Sequence, residues 1–220
     1  MSLKIIITGA SGMIGEGVLY QCLNHNQVSK ILVIGRKPCG HTHPKLTEII
    51  HKDFFNLTPI QNQLSGYDAC FFCLGVSSIG LSEPEYTKLT HTLTLNFAQT
   101  LNQISPNRVF CYISGTGTDS SEKGKSMWAR VKGRTENDLL KLGFKNVYNF
   151  RPAYIQPTKG LKNTLPLYKY FSWMYPILKT LFPKYVCTLK EIGLAMINAV
   201  TKGYEKNILE GKDIKILSQK

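Results

Sequence analysis

The sequence lacks any hydrophobic run long enough to cross a membrane. A spanning helix needs roughly 20 consecutive apolar residues, and lysines interrupt even the most apolar stretch, residues 168–185. A secretory signal peptide is also missing, because the apolar run at residues 5–7 is only as long as a strand and leads directly into a glycine motif. These two absences predict a cytoplasmic protein without a membrane span.

Regular cysteine spacing is absent as well. The six cysteines fall mostly within apolar segments, so we expect free thiols rather than a disulfide framework. Cys70 and Cys73 form a C-x-x-C pair, but no histidine or second cysteine pair lies nearby to complete a zinc site. His41 and His43 likewise have no third ligand in register. No metal site is therefore expected.

Acidic residues are few, with 14 Asp and Glu against 27 Lys and Arg, so the net charge is +13. Such a charge attracts phosphates, nucleic acids and anionic membrane surfaces. The lysines are nevertheless spread along the whole chain, no basic block exceeds two residues, and no nucleic-acid-binding signature is present. We therefore expect a small-molecule partner rather than a nucleic acid.

Short β-branched or apolar runs alternate with longer helical patterns along the first 150 residues. Strands are expected at residues 4–8, 30–35, 46–51, 69–74, 109–114 and 146–150, and helices at residues 12–24, 83–104 and 126–142. This alternation predicts an α/β fold with a doubly wound parallel sheet. Because 220 residues suit one such domain, a single domain over residues 1–220 is expected.

The alternation stops after Arg151, where prolines punctuate a region rich in Tyr, Phe, Leu and Lys. A helix at residues 189–202 and a short strand at residues 214–217 are expected to close the fold. Residues 154–190 are interpreted as a small helical substrate or lid region that contains the aromatic, lysine-rich stretch 168–185. For that stretch, a homodimer interface and an interfacial membrane helix with snorkelling lysines are the two alternatives.

A glycine triplet follows the first expected strand and opens the first expected helix. Gly9 permits a tight turn, Gly12 lets backbone amides approach a pyrophosphate, and Gly15 lets the helix and strand pack closely. The helix N-terminus adds free N–H groups and a partial positive charge. In this context the motif predicts a Rossmann fold that binds a nicotinamide dinucleotide. The expected binding residues on this turn are Gly9, Ser11, Gly12, Met13, Ile14 and Gly15.

The end of the second expected strand indicates which dinucleotide is preferred. An acidic residue there would bind the ribose 2′-hydroxyl of NAD, but the sequence has Gly35-Arg36-Lys37 instead. A guanidinium suits a 2′-phosphate by charge and by bidentate geometry. NADP is therefore the expected cofactor, with NAD as the alternative.

With these motifs, residues 3–157 resemble the atypical branch of the short-chain dehydrogenase/reductase superfamily, which includes nucleotide-sugar-epimerase-like and Tat-interacting-protein-like oxidoreductases. The resemblance rests on the glycine turn, on Arg36, and on the stretches Cys73-Leu74-Gly75, Val131-Lys132-Gly133 and Phe150-Arg151-Pro152-Ala153. It implies that Asp53 and Phe54 border the adenine and that Leu74 and Gly75 line the cofactor. It also implies that Ser114 is the substrate-binding serine and that Lys132 holds the ribose hydroxyls.

The sequence departs from this superfamily at its catalytic pair, a Tyr four residues before a Lys on one helix face. Lys132 is present, but Trp128 stands where the Tyr is expected, and an indole does not release its proton at physiological pH. Three interpretations remain open. Another group, such as Tyr112, Tyr154 or Ser114, supplies the proton; water supplies it; or the protein binds the cofactor without turnover.

The sequence therefore predicts an NADP-dependent oxidoreductase or epimerase-like enzyme that acts on a small carbonyl or hydroxyl compound, with Ser114 and Lys132 as its catalytic residues. The alternative function is a non-catalytic NADP(H)-binding protein with a regulatory or redox-sensing role.

Overall fold

The computed structural model describes residues 2–163 and 175–220. Its centre is a parallel sheet of seven strands in the order β3-β2-β1-β4-β5-β6-β9. The strands are β1 (Leu3–Thr8), β2 (Val28–Gly35), β3 (Leu46–Ile50), β4 (Ala69–Phe72), β5 (Val109–Ile113), β6 (Asn146–Arg151) and β9 (Ile208–Glu210). Two further strands, β7 (Tyr154–Gln156) and β8 (Val186–Thr188), form a separate parallel pair.

The helices lie on both faces of this sheet. They are α1 (Met13–Asn24), α2 (Glu83–Thr87), α3 (Leu93–Ile104), α4 (Met127–Leu140), α5 (Tyr175–Leu181), α6 (Leu189–Thr201) and α7 (Gly211–Ser218). One π-helical turn, Lys88–Thr92, joins α2 to α3, and short 3-10 helices cover Thr58–Gln63 and Pro183–Tyr185. No helix within residues 2–163 and 175–220 is long and apolar enough to cross a membrane.

Two apolar cores explain why the central strands are hydrophobic at almost every position. Ile5, Ile7 and Phe71 face one core with α1 and α6, whereas Ile6 and Phe72 face the other core with α3 and α4. A parallel sheet covered by helices buries both faces of each strand, so its strands read as continuous apolar runs. The doubly wound sheet predicted from the sequence is thus confirmed.

The strand order places a topological switch point between β1 and β4. The chain moves outward from β1 to β3 in one direction and from β4 to β9 in the other. At such a point the connections leave the sheet on opposite sides, so a crevice opens at the carboxyl ends of the strands. The glycine turn after β1 and the residues after β4 border this crevice.

The strand expected at residues 214–217 is wrong, because these residues belong to helix α7 and the closing strand is β9. Glu210 and Asp213 form a reciprocal capping box that starts the helix. Ile214 and Leu217 are both buried, three positions apart, which is a helical spacing. The local apolar run resembles a strand, but the capping box, whose N-cap Glu210 lies four residues before Ile214, starts a helix instead.

The lid interpretation covers a region that the structure describes only in part. Residues 164–174, including most of the aromatic and lysine-rich stretch, lie outside the described residues. The described remainder of that stretch consists of α5 and the 3-10 turn Pro183–Tyr185. The lid over residues 154–190 stays a prediction.

Candidate functional site

The turn after β1 has a backbone that only glycine allows at two positions. Gly9 has a φ of +72°, and a Cβ there would lie 2.5 Å from the carbonyl oxygen of Cys73. A Cβ on Gly15 would lie 2.1 Å from the carbonyl oxygen of Gly9. At Gly12 the same added atom would be 3.4 Å from that oxygen, which is an ordinary contact. Gly9 and Gly15 are therefore required by packing, whereas Gly12 is not.

Helix α1 begins at this turn without a side-chain cap among the described residues. Gly12 is its N-cap residue, and the Gly12 N–H donates to the Gly9 carbonyl at 2.9 Å. The N–H groups of a helical first turn have no partner inside the helix. Ser11, Met13 and Ile14 thus lie on a turn whose backbone amides and partial positive charge suit an anion.

A cleft beside this turn brings together five residues that the sequence assigned to the cofactor: Arg36, Asp53, Phe54, Leu74 and Gly75. They follow the ends of β2, β3 and β4, all at the carboxyl edge of the sheet. The remaining lining residues are Lys52, Phe55, Val76, Leu89 and Leu93. Two cations and several apolar side chains in one cleft have the chemistry of a site for an adenine ring with a nearby phosphate. The residues present fit a phosphorylated dinucleotide.

Helix α4 presents Lys132 to the loop that follows β5. The Lys132 ammonium donates to the carbonyl oxygen of Ser114. Burial lowers the pKa of Lys132, and the nearby Glu136 carboxylate opposes that shift. The chain therefore holds a cation with weakened proton affinity at the carboxyl edge of the sheet.

Ser114 has a different partner for its side chain. Its hydroxyl donates to the carboxylate of Glu136, which lies one turn after Lys132 on α4 and is fully buried. With its proton engaged in this way, the Ser114 hydroxyl has acceptor capacity left for another group. The structure places Ser114 and Lys132 together, and it places Ser114 in a buried polar network.

Arg151, at the end of β6, completes this network. Its guanidinium donates to Glu136, with Nε and Oε1 3.0 Å apart, and also contacts Glu210 at 3.4 Å and the Ser120 hydroxyl at 2.6 Å. Although burial favours its neutral form, the two carboxylates raise the pKa of Arg151. A buried ion pair with several additional hydrogen bonds therefore underlies the β5 loop.

Trp128 lies one turn before Lys132 on the same helix and is half-buried. Its indole packs against Gly117, where an added Cβ would lie 3.3 Å from the ring and where φ is +89°. The ring thus occupies space beside the β5 loop, next to the Lys132 position. The indole offers one N–H donor there and no group that titrates near neutral pH.

The three groups considered as alternative proton donors differ in their surroundings. Tyr112 is buried in the core, and burial raises its pKa far above the ordinary value, which makes it unsuited to proton transfer. Tyr154 is half-buried, and its hydroxyl donates to the Gln156 side chain at 3.1 Å. Ser114 donates to Glu136, as described above.

Comparison with known proteins identifies relatives of this chain. It is 26% identical to protein HTATIP2 of Rattus norvegicus over 154 residues, which is 69% of this chain and 62% of that protein. It is 27% identical to the mitochondrial protein fmp52 of Emericella nidulans over 159 residues, which is 69% of this chain and 66% of that protein. Both relatives are consistent with the resemblance to the atypical short-chain dehydrogenase/reductase superfamily that the sequence motifs indicate. No protein-family model matches the chain.

The matched part of this chain spans just under two thirds of the length of those relatives. A fungal relative from Candida glabrata, also named a mitochondrial FMP52 protein, matches 92% of this chain at 24% identity. These names give no support to a cytoplasmic location, which stays a prediction. A homodimer also stays a prediction.

Solved structures share the fold over nearly the whole chain. The Helicobacter pylori ADP-L-glycero-D-manno-heptose-6-epimerase has a TM-score of 0.67 at 16% identity, covering 99% of this chain and 82% of that one. The Bordetella bronchiseptica enzyme WbmG, in complex with NAD and UDP, has a TM-score of 0.70 at 11% identity, covering 100% and 78%. At these identities the likeness shows a Rossmann-like fold shared with epimerases and dehydrogenases.

Sequence reasoning missed the buried carboxylates of this site. Glu16, in the first turn of α1, is fully buried and accepts the backbone N–H groups of Lys162 at 2.9 Å and Asn163 at 2.7 Å. Nε2 of His41 lies 3.2 Å from the same carboxylate. Glu136 was detectable in principle, since it follows Trp128 and Lys132 at a spacing of four on one helix face.

Proposed function

We propose that this protein is an NADP(H)-dependent oxidoreductase or epimerase-like enzyme acting on a small carbonyl or hydroxyl compound. The observation that supports it best is the cleft where Arg36 lies at the same strand-end edge as the uncapped N-terminus of α1. One end of this arrangement suits a diphosphate, and the other suits an additional phosphate on the adenosine. When bound, the nicotinamide supplies or accepts a hydride.

Different residues of the chain would bind different parts of the cofactor. Backbone amides from Ser11 to Gly15 would bind the pyrophosphate, and Arg36 would bind the 2′-phosphate. Asp53 and Phe54 would border the adenine, while Leu74 and Gly75 would line the adjoining part of the cofactor. Lys132 would donate to the ribose hydroxyls in place of its present bond to the Ser114 carbonyl. Ser114 would orient the substrate through the acceptor capacity of its hydroxyl.

The proton required by such a reaction cannot come from Trp128. Tyr154, Ser114 and a water molecule held near Lys132 are the donors that remain after Tyr112 is set aside for its burial. Burial lowers the pKa of Lys132, so its ammonium would be a stronger acid and hydrogen-bond donor towards a bound hydroxyl or water than an exposed lysine is. In this proposal, Lys132 and one of these donors would hold and move the proton that the phenol holds in the superfamily.

Calorimetry with NADPH and NADH tests the proposed cofactor. We expect NADPH to bind more tightly than NADH, and Arg36→Ala to weaken NADPH binding by at least about tenfold, since a charged hydrogen bond contributes roughly 1.5–3 kcal/mol. NADH binding should change little in the same variant. Lys37→Ala is the matched control, because Lys37 is an exposed neighbouring cation that does not line the cleft. If neither dinucleotide binds the folded protein, the proposed function is wrong.

A second function, NADP(H) binding without turnover in a regulatory or redox-sensing role, is favoured by the indole at position 128. Oxidation of NADPH over a panel of aldehydes, ketones and quinones distinguishes the two functions. Tight binding with no turnover on any of these compounds would exclude the enzyme and leave the binding protein. We expect Trp128→Tyr to leave binding intact and to increase turnover only if position 128 faces the nicotinamide.

A further inference from the structure

Three large apolar side chains are exposed within five positions at the end of α5. Leu181 is 65% exposed, Phe182 is 53% exposed and Tyr185 is 57% exposed. We call this group the apolar corner. Single exposed apolar residues are common on protein surfaces, but three within five positions concentrate exposed apolar area on one turn of the chain. None of the three residues belongs to the cleft described above.

The apolar corner is held in place by backbone contacts on both sides. The Phe182 N–H donates to the Leu178 carbonyl at 2.8 Å, and the Tyr185 N–H donates to the Phe182 carbonyl at 3.0 Å. The carbonyl of Lys184 lies so close to Gly211 that a Cβ on that glycine would be 2.3 Å from it. Val186, the next residue after the corner, is buried. The exposed side chains are therefore presented by a packed turn.

Two exposed lysines adjoin the apolar corner. Lys184 lies within it, and Lys212 directly follows the Gly211 that contacts it; both side chains are exposed. The nearest acidic residues along the chain have other partners, since Glu210 contacts Arg151 and Asp213 contacts Lys206. Lys184 and Lys212 therefore supply exposed positive charge next to the exposed apolar side chains.

The positive charge of the chain favours an anionic lipid surface over a second copy of the chain as the partner of the apolar corner. A second copy of this chain would bring a net charge of +13 against a net charge of +13, with lysines on both sides of the contact. An anionic lipid surface combines a negative potential with an apolar layer just below it, which matches lysines around exposed Leu, Phe and Tyr side chains.

We propose that the apolar corner docks on an anionic phospholipid surface, with Leu181, Phe182 and Tyr185 entering the boundary of the acyl chains while Lys184 and Lys212 lie against the lipid phosphates. Such binding is reversible, because a few inserted side chains and a few lysines provide far less than a spanning helix does. Each lysine near the surface is expected to increase partitioning by about fivefold.

Co-sedimentation of the full chain with phosphatidylcholine vesicles, with or without about 30% phosphatidylserine, tests this inference. We expect binding to the phosphatidylserine vesicles only, and release at about 1 M salt, where the Debye length falls to about 3 Å. Leu181→Ser with Phe182→Ser should weaken binding at least about tenfold, and Lys184→Glu with Lys212→Glu should do so to a similar degree.

Control variants make the same kinds of substitution at exposed residues outside the apolar corner. Ile79→Ser removes an apolar side chain that is 90% exposed outside the corner, and Lys123→Glu with Lys145→Glu reverses two exposed lysines outside it. We expect smaller effects for both, and circular dichroism checks that each variant is folded. Equal loss of binding in corner and control variants would overturn the proposal, since it would indicate only diffuse charge attraction.

Two other outcomes would also overturn the proposal. One is no association with phosphatidylserine vesicles even at low salt. The other is a dimer in sedimentation velocity that the Leu181→Ser, Phe182→Ser variant abolishes while vesicle binding is missing, which would assign the corner to a second copy of the chain.

Discussion

The turn after β1 and the loop after β5 lie at the same edge of the sheet but are built differently. The turn after β1 uses backbone amides and closely packed glycines within seven consecutive residues. The loop after β5 rests on Ser114, Glu136, Arg151 and Glu210, which lie on four separate elements. A site formed by backbone groups can be specified by one short motif. A site formed by buried charged side chains draws its residues from distant parts of the chain.

Breaking the buried ion pair should give the largest effect. Arg151→Met leaves the Glu136 carboxylate fully buried without its cation, and we expect unfolding to become easier by about 3–5 kcal/mol. Chemical denaturation measures this loss. The double variant Arg151→Met, Glu136→Leu should recover most of it, because it leaves no unpaired charge.

Lys141→Met is the exposed counterpart of that variant, since it breaks the Lys141–Asp138 pair at the protein surface. Solvent screens such a pair, so we expect little change in stability. If Arg151→Met lowers the free energy of unfolding as little as Lys141→Met does, the buried network below the β5 loop does not stabilise the fold. The contrast drawn above between the turn after β1 and the loop after β5 would then be wrong.

Two glycine variants separate packing from binding in the turn after β1. Gly15→Ala forces a Cβ into the Gly9 carbonyl, so we expect a loss of about 1–3 kcal/mol in stability together with weaker dinucleotide binding. Gly12→Ala has room, so its stability should stay within about 0.5 kcal/mol of the parent. Its NADPH affinity should nevertheless fall about tenfold, because the new methyl group stands where amides approach a phosphate.

Thermal melts and calorimetry on the two variants measure both quantities. Equal destabilisation by Gly12→Ala and Gly15→Ala would show that both glycines serve packing alone.

A further contrast concerns Glu16, whose carboxylate joins α1 to residues 162 and 163. Burial acts to raise the pKa of Glu16, but the backbone N–H groups of Lys162 and Asn163, with His41, lower it below the ordinary value of 4.5. A lowered pKa in the folded state gives stability that is present above 4.5 and is lost as the pH falls through the folded value. Low pH should therefore loosen this contact.

Glu16→Gln should cost about 1–2 kcal/mol near neutral pH, and the difference from the parent should shrink as the pH falls below 4.5. Unfolding free energies measured from pH 3 to pH 7 test this. Glu205→Gln, a change at an exposed glutamate, is the control and should leave the curve unchanged. A constant difference at every pH would contradict the assignment of the effect to the Glu16 charge.

Local patterns predicted the early strands well and failed near the C-terminus. Residues 4–8 and 30–35 are apolar on both faces, and no other regular structure suits such short runs between helices. Residues 214–217 have a similar apolar composition, but the capping box at Glu210 and Asp213 and the burial of Ile214 and Leu217 produce a helix. The cap lies outside the apolar run, so the run alone was ambiguous.

The amino-acid sequence by itself determined the doubly wound sheet, the glycine turn, and the arginine at the end of β2, because each depends on residues that are close along the chain. Only the tertiary structure decided that Ser114 bonds to Glu136, that Arg151 bridges two carboxylates, and that Glu16 caps residues 162 and 163. The physical reason is that a buried charge must find its partner wherever the fold brings one, and the fold draws these partners from residues up to 147 positions apart.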